Sequence, residues 1–117
     1  MKKINVMVSK VIDGGMVSNT KEVVEDYTDY YKYGGFELFD MVRIQFAGEE
    51  LTLVVDDEGM LKSGNYGREV VGYPEPLFGN FILTGGVDSK GATLPFPSEI
   101  SLMQVNNMIS EVLYVTK

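Results

Sequence analysis

The sequence predicts an α+β protein: an antiparallel β-sheet meander with an N-terminal helix and a C-terminal helix packed on it. This prediction depends on a change in the spacing of apolar residues along the chain. Residues 21–33 have apolar side chains at three- and four-residue spacing, whereas residues 36–73 alternate with a period of two. At 117 residues the chain has the usual length of one domain, so 1–117 is expected to form a single α+β domain.

The first predicted elements are a strand and a helix. Residues 4–8 have the apolar pattern of a short strand, and Asp-Gly-Gly at 13–15 is a strong turn signal. A helix is expected to begin near 18–20, where Ser, Asn and Thr are all suitable N-cap residues, and to run over 21–33 until two glycines end it. Its buried face would carry Val23, Val24, Tyr27, Tyr30 and Tyr31.

The middle of the sequence predicts the strands of the meander. Apolar residues at 42, 44 and 46 alternate with other side chains, and after a turn at 47–50 the alternation resumes at 51, 53 and 55. The acidic run at 56–59 ends in glycine, which favours a second tight turn leading into Met60 and Leu61.

The last third of the chain predicts a hairpin and a closing helix. Residues 73–76, Tyr-Pro-Glu-Pro, form a rigid extended connection, because each proline also restricts the residue before it. A strand is expected at 78–84, with residues 92–96 pairing back on it after a loop. Ser98 would cap a helix over about 98–114. The buried face of that helix would carry Leu102, Val105, Ile109, Val112 and Leu113.

The absence of histidine and cysteine limits the chemistry that this chain can perform. Without them, a Ser-His-Asp or Cys-His catalytic arrangement and the usual zinc sites are excluded. Paired carboxylates, a lysine nucleophile or a magnesium site are the catalytic options that remain. The run Asp56-Asp57-Glu58-Gly59 lacks the alternating spacing of a calcium loop, so the turn is preferred over a metal site. We therefore expect no metal or cofactor, and binding rather than catalysis.

The charge of the chain is concentrated in one stretch. Between Glu22 and Glu58 there are eleven acidic and two basic residues, a net charge of −9 in a chain whose total is −7. This disfavours direct nucleic-acid binding, which needs clustered Lys and Arg, and it favours a basic partner. No segment approaches the roughly 20 apolar residues of a membrane span. The lack of cysteine fits a reducing cytoplasm.

Three segments have a composition that is typical of binding surfaces as well as of ordinary structure. Four tyrosines at 27, 30, 31 and 33 stand beside four acids; part of them would be core residues, and the rest would form an aromatic and acidic patch. The loop 64–68 places glycines beside Arg68, as in loops that approach an anionic ligand, although a purely structural loop is the simpler interpretation. The segment 73–78 is apolar but irregular.

A resemblance to a known family covers about residues 36–100. It depends on the strand at 51–55, the Asp-Glu-Gly turn with Leu61 and Lys62, Asn65, the strand Phe-Gly-Asn-Phe-Ile-Leu-Thr-Gly at 78–85, and Leu94 with Ser-Glu-Ile at 98–100. These motifs are similar to those of a family from bacteriophages and mobile elements, known only as domain of unknown function 3846. The resemblance implies a small phage or mobile-element protein in a bacterial cytoplasm. It assigns no catalytic residue.

These observations lead to one main functional hypothesis and two alternatives. The main one is a stoichiometric inhibitor or modulator of a host protein, such as a defence protein, that has a basic surface. The residues expected to bind this partner are Glu22, Glu25, Asp26, Asp29, Tyr30 and Tyr33. The first alternative is a protein that sequesters a nucleotide-like signal, with Asn65, Tyr66 and Arg68 at the mouth of a pocket and a possible homo-oligomer. The second is a carboxylate- or magnesium-dependent enzyme.

Overall fold

The computed structural model describes residues 3–12, 16–59, 65–110 and 113–115, the last two of these by backbone alone. Eight strands and two short helices occur in these ranges. In chain order they are β1 (Ile4–Ile12), β2 (Met16–Val24), α1 (Thr28–Gly34), β3 (Phe39–Phe46), β4 (Glu49–Asp56), β5 (Tyr66–Arg68), β6 (Leu77–Phe78), β7 (Phe81–Thr84), α2 (Leu102–Met108) and β8 (Tyr114–Val115). The predicted α+β class is confirmed.

The main sheet has five antiparallel strands in the order β2-β1-β7-β4-β3. Two hairpins, β1–β2 and β3–β4, flank the late strand β7. Ile82 of β7 pairs with Val8 on one side and with Val54 on the other. All four residues of β7 are buried, which explains why this strand occupies the centre. The order is therefore two hairpins joined by a later strand rather than a simple meander.

The main sheet separates two hydrophobic clusters. On one face, α1 packs its aromatic residues against alternate residues of β1, β4 and β7, such as Val6, Val54 and Ile82. On the other face, Met7, Leu53 and Leu83 meet the residues of the small sheet and of α2. Successive side chains of a strand point to opposite faces of the sheet, so neighbouring residues of one strand belong to different clusters.

The small sheet has the strand order β6-β5-β8. Gly67 of β5 pairs with Phe78 of β6, and a Cβ at position 67 would lie 2.6 Å from the Phe78 ring. The strand predicted at 78–84 is divided, because Gly79 adopts a φ of 96° and turns the chain from the small sheet into the main sheet. Gly79 favours this region because it has no Cβ.

The predicted helix over 21–33 is wrong in its first half. Residues 16–24 form β2, which pairs with β1 along its whole length, and the helix begins only at Thr28. Val24 is buried while Val23 is 42% exposed, as expected for alternate sides of a strand. Six of the eight residues at 17–24 are Val, Ser, Asn or Thr, which are weak helix formers, and pairing with β1 decides the conformation of this segment. The predicted helix end is confirmed, because Gly35 has the left-handed φ of 68°.

The C-terminal helix is shorter than predicted and has a different cap. It begins at Leu102, and Ser101 rather than Ser98 accepts a hydrogen bond from the backbone N–H of Gln104. It ends at Met108 because Ile109 is extended and forms a bridge with Val70. Val105 and Ile109 are buried as predicted, whereas Leu102 and Leu113 are 42% and 51% exposed. Val112 lies outside the described residues.

The connections follow the sequence prediction in part. The turn between β3 and β4 is confirmed and has positive φ at Ala47 and Gly48. The turn at 57–58 is also confirmed. Residues 92–96 do not form a regular strand; they are held by the bridge between Val87 and Thr93 and by the Gly85 N–H, which donates to the Leu94 carbonyl. The predictions for 13–15 and 60–64 concern residues outside the described ranges. Among the described helices, none is long and apolar enough to cross a membrane.

Candidate functional site

The junction between β2 and α1 forms the first candidate surface. We call the N-terminal acidic surface the set Glu22, Glu25, Asp26, Tyr27, Asp29 and Tyr33. The Asp29 carboxylate accepts hydrogen bonds from the N–H groups of Glu25 at 2.9 Å and Asp26 at 3.3 Å. Asp26 in turn accepts from the N–H of Thr28 at 3.0 Å. These short side chains satisfy backbone groups where the strand ends and the helix begins, which is a frequent role of Asp.

Tyr33 is the centre of the N-terminal acidic surface. Its hydroxyl donates to the Val23 carbonyl at 2.8 Å, which ties α1 to β2. Desolvation raises the pKa of Tyr33 above its ordinary value, and the carboxylates of Asp29, Glu22 and Glu25 raise it further. The hydrogen bond from the Glu25 N–H to Asp29 and the one from Tyr33 to the Val23 carbonyl place two of the predicted partner-binding acids and Tyr33 at the same junction of β2 and α1.

Two lysines lie close to this surface. Lys3 forms an ion pair with Glu25 at 3.3 Å, and both side chains are largely exposed. The Lys32 ammonium lies 6.0 Å from the centre of the Tyr33 ring. An exposed ion pair of this kind is weak and screened by salt, so Glu25 can exchange Lys3 for a cation of a partner at little cost.

Tyr30 is a core residue and not part of the exposed surface that the sequence analysis predicts. Its side chain is 1% exposed and packs edge-on against Phe39, with ring centres 5.7 Å apart. Burial raises the pKa of Tyr30. Tyr30 lies inside α1 on the side that packs against the sheet, whereas Tyr27 is the N-cap residue before the helix and is 62% exposed. Tyr27, which was assigned to the buried face, is thus the exposed aromatic residue of this surface.

Arg68 lies in the interior and not at the mouth of a pocket. Its guanidinium donates to the Ser9 hydroxyl at 2.7 Å and to the Gly79 carbonyl at 3.3 Å. It stacks over the Phe81 ring at 4.4 Å from the ring centre. Burial lowers the pKa of Arg68 from its ordinary value to about 10. Within the described part of the chain no carboxylate pairs with this group.

Asn65 and Tyr66 are held by the neighbouring backbone. The Asn65 amide donates to the Gly59 carbonyl at 2.7 Å, and its side-chain oxygen accepts from the Tyr66 N–H at 3.0 Å. The Tyr66 carbonyl accepts from the Gly79 N–H at 2.8 Å. These bonds fix Asn65 and Tyr66 at the start of β5. The side chain of Arg68, two residues after Tyr66, points into the interior. Ligand binding at Asn65 and Tyr66 stays a prediction.

A second candidate surface surrounds the segment 73–78, and we call it the acidic groove. It encloses about 370 Å³ between β3, β4 and β6. Its apolar lining consists of Val42, Val55, Gly59, Tyr73, Pro76, Leu77 and Phe78. Its carboxylates are Asp40, Asp56, Asp57 and Glu75. The sequence indicates that 73–78 is apolar and irregular, but it does not show that Asp40, Asp56 and Asp57 lie beside this segment. Strands β3 and β4 approach it only through tertiary packing.

A neighbouring concavity of about 430 Å³ lies on the other side of the same segment. It shares Tyr73, Glu75 and Pro76 with the acidic groove and adds Glu69 as a further carboxylate. Residues of α2 and its end, such as Met108 and Ile109, complete its wall. The Tyr73–Pro76 stretch therefore forms a ridge with an acidic concavity on each side.

The described residues contain no group of three or more acidic side chains arranged to hold a metal ion. The Asp56 side chain instead accepts from the Glu58 N–H at 3.0 Å, a bond within the turn. This contact accounts for the turn at the end of β4 by the local chemistry that Asp favours.

The fold defines a small α+β protein with an antiparallel sheet between a helix layer and a mixed layer. The chain belongs to the family described as "Domain of unknown function (DUF3846)", whose model matches residues 6–109. The resemblance noted over about 36–100 is thereby confirmed and extended to β1 and β2. No curated protein and no solved structure matches the chain significantly.

Proposed function

We propose that this protein acts by binding, as a stoichiometric inhibitor or modulator of a host protein that has a basic surface. The observation that carries the proposal is the clustering of Glu25, Asp26 and Asp29 where β2 ends and α1 begins, with the Asp29 carboxylate accepting hydrogen bonds from the N–H groups of Glu25 and Asp26. Carboxylates that act on one point create a local negative potential, which attracts and orients a positively charged partner.

Tyr27 supplies the apolar component of the proposed interface. It is 62% exposed at the N-cap position of α1, next to Asp26 in the sequence and two residues before Asp29. Tyrosine buries a large area at a low cost in side-chain entropy and is frequent among the residues that dominate binding energy. The proposed contact thus combines one exposed tyrosine with neighbouring carboxylates.

The family resemblance supports a setting for this activity. The resemblance in the sequence implies an origin in bacteriophages or mobile elements, and the proposal accordingly places the protein in the cytoplasm of a bacterial host. A host defence protein that binds nucleic acid has the basic surface that the proposal requires. On this proposal the protein occupies that surface without performing a reaction, and no cofactor takes part.

The test is a comparison of two variants with equal charge change. The first carries Glu22→Gln, Glu25→Gln and Asp26→Asn, and it leaves Asp29 in place because its carboxylate holds the junction. The matched control carries Glu49→Gln, Glu50→Gln and Glu99→Gln, which are exposed and lie outside both candidate surfaces. A partner isolated with the tagged wild-type protein from an infected bacterial host is purified, and its dissociation constant is measured for all three proteins.

We expect the first variant to bind the partner about tenfold more weakly, and the control to bind within about twofold of the wild type. The wild-type affinity should also fall as salt is raised, because exposed charge pairs are screened. A complex that is insensitive to salt and binds both variants equally well contradicts the electrostatic basis of the proposal.

A further inference from the structure

We propose that the acidic groove is a docking site for an extended peptide segment that carries Lys or Arg side chains. This site is separate from the N-terminal acidic surface, and the inference does not depend on the function proposed above. It is carried by the shape of the groove, its apolar floor and the charges at its rim.

The floor of the acidic groove is apolar and is built by three strands. Val42 from β3, Val55 from β4 and Leu77 from β6 all face it. Tyr73 and Pro76 form the side towards the ridge. At about 370 Å³ the groove is within the size range of specific binding sites; strands of both sheets and the connection 73–76 line it.

The rim of the acidic groove is negatively charged. The side chains of Asp40, Asp57 and Glu75 are exposed, and none forms an ion pair with another described residue. No Lys or Arg is among the described residues that line the groove. Three carboxylates of like sign around one cavity repel each other, and a cation in the cavity relieves this repulsion.

This combination fits the side chains of lysine and arginine. Both have an apolar stem that packs on hydrophobic surface and a charged end that stays at the edge. In the groove the stem would lie on Val42, Val55 and Leu77, and the charge would reach the carboxylates at the rim. Phosphate-bearing partners such as nucleic acids and anionic membranes are repelled by the same charges.

The second concavity indicates a peptide as the occupant rather than a small cation. It lies across the Tyr73–Pro76 ridge and shares Glu75 with the acidic groove. In an extended chain every second side chain points to the same side, at a spacing of roughly 7 Å along the axis. A peptide that crosses the ridge can therefore insert one basic side chain on each side, with Glu75 between them.

The test uses a fluorescein-labelled eight-residue peptide in which Lys alternates with Leu, and a Glu-for-Lys version of it. Fluorescence anisotropy gives the dissociation constant of each peptide for the full chain. The groove variant carries Asp40→Asn, Asp57→Asn and Glu75→Gln. The control variant carries Glu49→Gln, Glu50→Gln and Glu99→Gln, so both have lost three negative charges. Circular dichroism melting of each variant establishes that it is folded.

We expect the Lys peptide to bind the wild type, and the groove variant to bind it about tenfold more weakly while the control stays within about twofold. Methyl NMR signals of Val42, Val55 and Leu77 should shift on addition of the peptide. Equal weakening in both variants, or shifts confined to Val23 and the N-terminal acidic surface, overturns the inference. Spermidine that competes as well as the peptide also overturns it, because the site would then recognise small cations.

Discussion

Arg68 carries a charge into the interior, where its guanidinium meets Ser9, the Gly79 carbonyl and the Phe81 ring. Burial of a charge without a carboxylate is costly, and the hydrogen bonds and the ring contact only partly offset this cost. The pKa of Arg68 falls to about 10, which shows that the charged form is disfavoured in the fold.

Replacement of Arg68 separates the effect of its charge from the effect of its volume. Arg68→Met keeps an apolar stem over Phe81 and removes the buried charge, so we expect the free energy of unfolding to rise by about 1–3 kcal/mol. Arg68→Ala leaves a cavity and should be less stable than Arg68→Met by about 2–4 kcal/mol. Urea denaturation of the three proteins measures both differences. A large loss of stability in Arg68→Met would show that the hydrogen bonds of Arg68 outweigh its desolvation.

The stability difference between Arg68→Met and the wild type should depend on pH. Above about pH 10 the folded wild type releases the proton from Arg68, while the unfolded chain, in which the pKa of Arg68 has its ordinary higher value, keeps it. The unfolded state then binds more protons, so the stability of the wild type rises relative to the variant. We expect the advantage of the variant to be complete below about pH 9 and to shrink towards about pH 11. Tyr30 and the other tyrosines are common to both proteins, so their titration cancels in the difference.

The sequence gives little indication of the role of Arg68. Arginine is almost never fully buried, and the glycines around 64–68 favoured an exposed loop. The burial follows from the packing of β5 between the bend at Gly79 and the residue Ser9 of β1, which are far apart in the chain. The exposure of Glu25 and Asp26 was easier to predict, because unpaired charged side chains stay in water.

Helix α2 begins with a capping box. The Ser101 hydroxyl accepts from the Gln104 N–H at 3.2 Å, and the Gln104 side chain accepts from the Ser101 N–H at 2.9 Å. Ser101→Ala should lower the free energy of unfolding by about 1 kcal/mol, whereas Ser98→Ala should change it by less than about 0.5 kcal/mol. Thermal denaturation of both variants distinguishes them. Equal effects would mean that the two serines share the capping role.

The connection after β5 passes directly against β3. Gly72 has a φ of 91°, and a Cβ there would lie 2.1 Å from the Gln45 carbonyl oxygen. Gly91 has a similar φ of 84° but open space around it. Gly72→Ala should therefore destabilise by about 2–4 kcal/mol, and Gly91→Ala by about 1 kcal/mol from backbone strain alone. Urea denaturation gives both values, and similar losses would contradict the close approach at Gly72.

Elements with a strong local signal could be predicted from the sequence, and elements that depend on pairing could not. The alternation in β3 and β4 and the glycines after α1 were sufficient for those elements. The spacing of Val23, Val24 and Tyr27 resembles the buried face of a helix. In the structure Val23 and Val24 lie in β2 and Tyr27 precedes α1, so the three residues do not lie on one helical face. Their conformation is decided by the partner strand β1, which a local pattern does not include.

The topology of the main sheet depends on contacts between distant parts of the chain. Strand β7 pairs with β1 through Leu83 and Met7, across more than half of the sequence. Sequence periodicity predicts that strands exist but not their order, so a meander was expected and the insertion of β7 was not. The family resemblance did not supply this order, since its motifs are turn and strand signals.

Hydrogen exchange should report the central position of β7. The amides of Ile82 and Leu83 are enclosed by two strands and two hydrophobic clusters, and we expect them to exchange only through global unfolding. The amides of Val17 and Asn19 in the edge strand β2 should exchange through local opening, with protection lower by at least about 2 kcal/mol. Native-state exchange followed by NMR measures both, and uniform protection across the sheet would contradict this expectation.

The late position of β7 in the chain has a consequence for synthesis on the ribosome. Asp56 completes the second hairpin, but 28 residues must follow before Thr84 completes the strand that joins the two hairpins. At about 5–20 residues per second, translation of this interval takes roughly one to six seconds. During that time the edges of β1 and β4 have no neighbour, and open strand edges are prone to associate with other chains. Slow codons between residues 57 and 84 would prolong this exposed state, so codon choice in that interval should influence how much folded protein a cell obtains.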